Sequence, residues 1–254
     1  MKLYSTYIFD CDGVLLNSNK AKTEAFYEVT EKFGKNSAQD LVNYHVLNGG
    51  ISRYEKFSYF IEKILPKNLK KPKLDELLED YAKIVWDKLI SCEIAPNLDL
   101  IKKKTKGASW MVISGGKQDE LIKLFKFKGI FDLFDGGIFG SPNSKIQIFK
   151  EQITTEKITG NSLFFGDSIY DWEVAVKYNI DFVFVSNWTE VVDFSSFCSR
   201  NKILSNNKSI WLTVPIEKKG FKSIANAKIS DTLWQKKHLN TIHHAYRKHH
   251  YYNE

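Results

Sequence analysis

The sequence predicts an α/β protein built on a parallel sheet, with an inserted group of helices and a small carboxyl-terminal appendage. Three observations predict it. Apolar runs rich in β-branched and aromatic residues recur at Leu3 to Phe9, Ala108 to Ile113 and Ser162 to Phe165, each about the length of a buried strand. Each run ends in acids, a hydroxyl or glycine at Asp10, Ser114 and Gly166-Asp167, and the carboxyl ends of strands are where open α/β sheets hold their ligands. Between the first two runs lies a long stretch with helical patterning.

The first strand leads into Tyr7-Ile8-Phe9-Asp10-Cys11-Asp12-Gly13-Val14-Leu15-Leu16. Side chains two apart point the same way only while a strand continues, and at a turn Asp10 and Asp12 can converge on one small volume. Like charges brought together need a cation, a proton or ample water. Read alone, Asp-x-Asp-Gly is also a common turn. Cys11 between the acids fills space beside the strand.

Helical patterns follow from Asn17 to Phe33, stopped by Gly34, then from about Ala38 to Asn48, Arg53 to Leu65 and Leu74 to Cys92. Pro96 marks the return to the sheet. Lys67 to Lys73 reads as a solvated loop. Gly49-Gly50-Ile51-Ser52-Arg53 joins the second and third helices, and Arg53 can read a carboxylate, a phosphate or a sugar hydroxyl. As a helix-start residue it can equally be a surface arginine.

The second strand ends in Ser114-Gly115-Gly116, a hydroxyl and two residues that let backbone approach an anion closely. Lys145, in Gly140-Ser141-Pro142-Asn143-Ser144-Lys145, opens a helix after another short strand and can supply positive charge. The next strand ends in Gly166-Asp167-Ser168-Ile169-Tyr170-Asp171. Asp167 and Asp171 are oxygen ligands suited to Mg²⁺, a hard cation, and either acid can instead cap the following helix.

A chain of 254 residues is long enough for one α/β core with an insertion. Cys11, Cys92 and Cys198 are odd in number and scattered, which indicates neither a disulfide framework nor a zinc site and favours a reducing cytoplasm. Met1-Lys2 leads straight into a strand, and no apolar run reaches the length of a membrane span, so neither a secretory signal nor a membrane partner is expected.

The order DxDGVL, then Ser-Gly, then Lys, then GDSxxD resembles the haloacid dehalogenase-like hydrolase superfamily. The nearest branch resembles phosphoglycolate phosphatase and β-phosphoglucomutase, and the likeness covers about residues 1 to 197. It implies a Rossmann-like core of residues 1–16 and 97–199 with a helical cap of residues 17–96. It further implies that Asp10 is the nucleophile and that Asp12 is a general acid and base, the second aspartate arguing for phosphoryl transfer. Asp10, the Asp12 carbonyl and Asp167 would hold Mg²⁺, with Asp171 behind them or as a further ligand. Ser114 with the amides of Gly115 and Gly116 would bind phosphoryl oxygens, Lys145 would neutralise charge, and the Gly49 to Arg53 loop would reach the substrate from the cap.

Residues 200–254 are different material. They hold eleven of the 37 Lys and Arg but three of the 30 Asp and Glu, and five of the six histidines: His238, His243, His244, His249 and His250. No pair has the i, i+4 spacing of a helical zinc motif. Basic charge interleaved with Trp211, Trp234, Tyr246, Tyr251 and Tyr252 suits nucleic acid, but no recognition module is legible and that partner is disfavoured. Trp211-Leu212-Thr213-Val214-Pro215-Ile216, Trp234-Gln235-Lys236-Lys237-His238 and Ala245-Tyr246-Arg247-Lys248 resemble the amino-terminal part of WbqC-like proteins. That resemblance implies an association with surface-polysaccharide and sugar biosynthesis, and a chain that is a truncated fusion.

The expectation is therefore a Mg²⁺-dependent phosphatase of a small phosphorylated metabolite, a sugar or sugar-acid phosphate. A phosphomutase would use the same two aspartates. From another class, a non-catalytic protein binding nucleic acid or a partner through its basic tail is the alternative. Oligomeric state is not legible.

Overall fold

A computed structural model describes residues 4–159 and 161–206. Its centre is a parallel sheet of β1 (Thr6–Phe9), β2 (Ser109–Lys117), β3 (Gly137–Ser141), β4 (Ser162–Gly166), β5 (Asp181–Val185) and β6 (Leu204–Asn206), in the order β3-β2-β1-β4-β5-β6. The expected α/β class and parallel sheet are both present. From β1 the chain fills one half of the sheet outward, then returns to β1 and fills the other. The loops after β1 and β4 therefore part, leaving a crevice at the switch point. In register Phe9 lies beside Phe165, and Asp10 N donates to Phe165 O at 2.9 Å. The residue after β1 is thus held beside the end of β4.

Helices cover both faces. They are α1 (Asn19–Thr30), α2 (Lys35–Leu47), α3 (Arg53–Tyr59), α4 (Leu74–Ser91), α5 (Leu98–Lys104), α6 (Gln118–Phe127), α7 (Lys145–Thr154), α8 (Ile169–Lys177) and α9 (Phe194–Asn201). Strand residues alternate between two cores, as a period of two requires. Tyr7, Phe9, Trp110, Val112, Leu163 and Phe165 face α5 and α6 in a core continuous with the interior of α1 to α4. Ile8, Met111, Ile113, Phe164, Phe182 and Phe184 face α7, α8 and α9. Strands buried on both faces explain why their sequences read as unbroken apolar runs.

The expected helices are present, with shifted ends. The first, expected to Phe33, leaves α form after Thr30 and finishes in a 3-10 turn at Glu31–Phe33 before Gly34. The third passes from α3 into a π turn at Phe60–Ile64. The loop from Pro66 to Lys73 is mostly exposed, as its charge suggests. The sheet runs past residue 199 through β6. The motifs from Trp211 onward and the five histidines lie outside the described residues. No helix among the described residues is long and apolar enough to cross a membrane.

Phe164 joins the sheet to its second helical layer, with its ring 5.1 Å from that of Phe149 on α7 and 5.7 Å from that of Phe182. Phe164→Ala is expected to cost about 3–5 kcal/mol in denaturant-induced unfolding, the usual range for emptying a buried aromatic site. A loss below about 1 kcal/mol would contradict this packing.

Candidate active site

Asp10 follows β1 at the switch point and is 2 % exposed. Its Oδ1 accepts from Cys11 N at 2.7 Å, and its Oδ2 lies 2.9 Å from Lys145 Nζ. Lys145 is the first residue of α7, behind a reciprocal cap in which Ser144 Oγ accepts from Gln147 N and Ser144 N donates to Gln147 Oε1. That cap fixes the helix start. The Lys145 ammonium then reaches Asp10 and, at 2.5 Å, Asp171 Oδ1. Burial works against its charge, but the two carboxylates outweigh burial and hold it well above the usual lysine range.

Asp171 is the third residue of α8 and fully buried. Its Oδ2 accepts from Ser168 N and Ser168 Oγ, at 3.2 and 2.6 Å, while Asp171 N donates to Ser168 Oγ at 3.2 Å. The residue therefore both caps a helix and joins the charged cluster. Asp167 does no capping. Its Oδ2 accepts from Asn19 Nδ2 at 2.6 Å, and its carbonyl from Thr189 Oγ1 at 2.6 Å.

One carboxylate oxygen from each of Asp10, Asp167 and Asp171 lies within 4.8 Å of the others. Burial, followed by the neighbouring acids Asp10 and Asp171, pushes Asp167 well above the usual carboxylate range. Burial pushes Asp10 up to about 7, Lys145 pulling down and Asp171 pushing up. Lys145 alone leaves this cluster short of positive charge. Three buried carboxylates at this spacing, one of them without a cation of its own, suit a hard divalent ion. The two oxygens of Asp171 are engaged by Lys145 and Ser168, and those of Asp10 by Lys145 and Cys11 N.

Asp12 faces the same cleft, accepting from Ser18 Oγ and from Lys22 Nζ, each at 2.5 Å. Packing pushes its pKa up, but Lys22 and Ser18 outweigh that and hold it below the usual range. Directly after Asp12, Gly13 has φ +70°, and a Cβ there would run into Asp167 and Asn19. Only glycine lets the turn pass so close to the second acid.

The strand expected to end in Ser114-Gly115-Gly116 runs one residue further. β2 runs on through both glycines to Lys117. This turns Ser114 inward, fully buried, where its Oγ accepts from Gly116 N at 3.1 Å. Gly115 and Gly116 line the cleft. A Cβ on Gly115 would fall 2.5 Å from the carbonyl of Gly50, so the loop after α2 rests directly on the end of β2. Gly50 itself has φ +82°, and a Cβ there would be 3.4 Å from Lys145 Nζ. The Gly49 to Arg53 loop thus sits over the charged cluster.

Arg53 lines the cleft, but its fork is taken. Nη1 and Nη2 donate to Glu120 Oε1 and Oε2, at 3.2 and 2.5 Å, and the guanidinium lies 4.7 Å from the centre of the Tyr81 ring. It ties α3 to α6 rather than offering a free bidentate donor.

Several lining residues were not singled out from the sequence: Asn19, Lys22, His45, Lys56 and Glu190. Asn19 and Lys22 left a faint signal, a polar helix start directly after Val14 to Leu16. His45 and Lys56 left none, because they meet only when α2 and α3 fold together.

Residues 7–185 match the sequence model of the haloacid dehalogenase-like hydrolases. The chain belongs to that family. Residues 183–254 match the WbqC-like protein family, a match that begins within β5. Among solved structures, the chain is similar to a haloacid dehalogenase-like family hydrolase from Streptococcus pneumoniae, at 17 % identity and TM-score 0.59 over 82 % of this chain and 96 % of that one. It is likewise similar to a predicted phosphatase from Clostridium acetobutylicum, at 17 % identity and TM-score 0.62 over 81 % and 94 %. A predicted phosphoglycolate phosphatase from Haemophilus somnus aligns at 17 % identity and TM-score 0.57 over 73 % and 87 %. At these identities the likeness is one of fold. A comparison with curated proteins gave no match.

Because Arg53 is 7 % exposed and Glu120 only partly buried, Glu120→Ala leaves a largely buried guanidinium without its carboxylate. It is expected to lower stability by about 2 kcal/mol, below the full cost of breaking a fully buried pair because solvent reaches one partner. Chemical denaturation measures it, and an unchanged midpoint would refute the tie.

Proposed function

We propose that this hydrolase is a Mg²⁺-dependent phosphatase of a small phosphorylated metabolite, a sugar or sugar-acid phosphate, acting through a phosphoryl group carried on Asp10. The observation that carries the reading is the meeting of Asp10, Asp12, Lys145 and Asp167 from three separate segments around one cleft. A turn-only role for these acids would not require Lys145 to be drawn 26 positions from Asp171 into a buried pair. Residues 17–96 then act as a cap over the α/β core. The cap's loop from Gly49 to Arg53 closes the cleft.

Asp10, the carbonyl of Asp12 and Asp167 would hold the ion, with Asp171 steering Lys145. Bound there, Mg²⁺ would draw charge from the phosphoryl oxygens and keep Asp10 ionised despite its burial. Each remaining step belongs to side chains of the chain itself. An oxygen of Asp10 attacks phosphorus, forming an acyl phosphate as the ester P–O bond breaks. Lys145 offsets the charge that gathers on the phosphoryl oxygens. Ser114 accepts from Gly116 N, so its own hydroxyl proton can donate to one of those oxygens alongside the amide of Gly115.

Asp12 must give a proton to the leaving alkoxide, yet it is ionised beside Lys22. Arrival of a phosphate dianion raises a neighbouring carboxyl pKa, which lets Asp12 enter the reaction protonated. Having lost that proton, it is again a base. It then takes a proton from water as the water oxygen attacks phosphorus and the bond to Asp10 breaks.

The WbqC-like match supports a setting in polysaccharide or sugar biosynthesis, and the three free cysteines support a reducing cytoplasm.

With Mg²⁺ present, the full chain is expected to release inorganic phosphate from a sugar phosphate without a bisphosphate activator, which a phosphomutase would need. Asp10→Asn is expected to reduce turnover by at least about a thousandfold, since it removes the nucleophile. Retained turnover would refute the assignment. Melting curves give an independent check. Mg²⁺ is expected to raise Tm at pH 8 and to do so less at pH 5. Asp10 and Asp167 have raised pKa values, so the folded state binds protons there more tightly than the unfolded chain does. Falling pH therefore relieves their repulsion and fills the site with protons in competition with the ion. An increment unchanged by Asp167→Asn would count against this site.

A further inference from the structure

We propose that the cleft selects a phosphate monoester whose other end bears a carboxylate, and that Lys56 and His45 are the groups that receive it. The inference rests on the phosphatase reading above and narrows its substrate. Lys56, on α3, is 2 % exposed and lines the same cleft as Asp10 and Asp12. Its Nζ lies 2.6 Å from His45 Nδ1 on α2 and 5.7 Å from the centre of the Phe26 ring.

What distinguishes Lys56 is the partner it does not have. Around it, Lys22 is bound to Asp12, Arg53 to Glu120, and Lys145 to Asp10 and Asp171. Among the described residues no carboxylate forms an ion pair with Lys56. A buried ammonium whose one hydrogen-bond partner is an imidazole is costly, and an anion supplied from outside would offset that cost.

The surroundings favour this use. The groups acting on Lys56 are His45 on α2, Lys22 on α1, Asp12 on the turn after β1, Glu55 on its own helix and Glu190 on the segment after β5. Asp12 is already committed to Lys22, and Glu190 accepts from Thr23 Oγ1 through both oxygens at 3.0 Å. Burial, then Lys56 and Lys22, pushes His45 well below the usual histidine range, so its ring is neutral. Its Nδ1 then accepts from the Lys56 ammonium, which leaves Nε2–H as a second donor. Burial and Lys22 bring Lys56 down to about 7. An arriving carboxylate would restore its charge. The free protein thus avoids holding a full buried charge, and the charge forms as the ligand enters.

The test compares 3-phosphoglycerate with glycerol 3-phosphate, which differ by a carboxylate against a hydroxymethyl group, and uses p-nitrophenyl phosphate as a generic ester. In the full-length wild-type chain with Mg²⁺, kcat/KM is expected to favour 3-phosphoglycerate by about tenfold or more, the worth of one charge-assisted contact. In Lys56→Met that ratio is expected to fall to near one, the change residing in KM for the carboxylated ester. The pH profile of the wild type reads the same group without a substitution. Above pH 7 the free lysine is neutral, so between pH 6.5 and 8.5 the KM for 3-phosphoglycerate is expected to rise about tenfold relative to that for glycerol 3-phosphate.

Turnover of p-nitrophenyl phosphate with no wild-type preference for the carboxylated ester would overturn the inference and leave the phosphatase reading standing. So would a ratio unmoved by Lys56→Met. If the variant does not fold, parallel KM profiles in the wild type would overturn it, and diverging ones would support it. No turnover of any of the three esters would bring down the phosphatase reading and this inference with it.

Discussion

The structure is organised around a shortage of positive charge. Asp10, Asp167 and Asp171 are brought within a few ångströms of one another where water is nearly excluded, and Lys145 is the cation buried with them. Such a set is unstable on its own terms, since desolvation and mutual repulsion both oppose ionisation. The fold accepts it because strong local devices determine each member. A reciprocal cap fixes Lys145, another fixes Asp171, and the β1 to β4 register fixes Asp10. Rigid supports of this kind keep the acids from swinging apart to relieve their repulsion, which makes the cluster a site rather than a fluctuation.

Close backbone approach is the second constraint, and it follows from the first. Gly13 turns beneath Asp167 at φ +70°, while Gly115 lets the Gly50 carbonyl rest on the end of β2. These contacts bring chain segments to distances that a side chain would forbid. The helical insertion is therefore seated on the sheet through backbone as well as through Arg53 and Glu120. Its apolar interior, with Phe26, Phe57 and Tyr81, is continuous with one face of the sheet core. The cleft lies at that seam, where Lys22, His45, Arg53 and Lys56 of the insertion share it with Asp10 and Asp167.

What the sequence made legible follows from how local each feature is. Strands buried on both faces are unbroken apolar runs, and acids at their ends stand out because few physical roles explain them. Asp10 and Asp167 could thus be read from a few neighbours each, whereas Lys145 stood out only through its place in the order of the motifs. Ser114 could not be placed as well: whether two glycines end a strand or continue it depends on pairing with β3, and here the register shifts between Ile113 and Lys117. Arg53 misled for a similar reason. A free arginine at a cleft and one engaged by Glu120 look identical in sequence, because the partner lies 67 positions away.

Lys56 carries this reasoning one step further. A lysine in a helix is ordinarily a solvated residue, and nothing in its neighbours on α3 marks it otherwise. Its meaning comes from two facts that exist only after folding: burial against Phe26, and the lack, among the described residues, of a carboxylate ion-paired with it. Asp12 and Lys22 satisfy each other, as do Glu120 and Arg53, and Glu190 is held by Thr23. The division of labour between sheet and insertion is then a physical one. The sheet end concentrates negative charge at short sequence range, while the insertion places one buried amine without an ion-pair partner among the described residues. A ligand with an anion at both ends would meet the positive side of each, Lys145 at the sheet and Lys56 on the insertion.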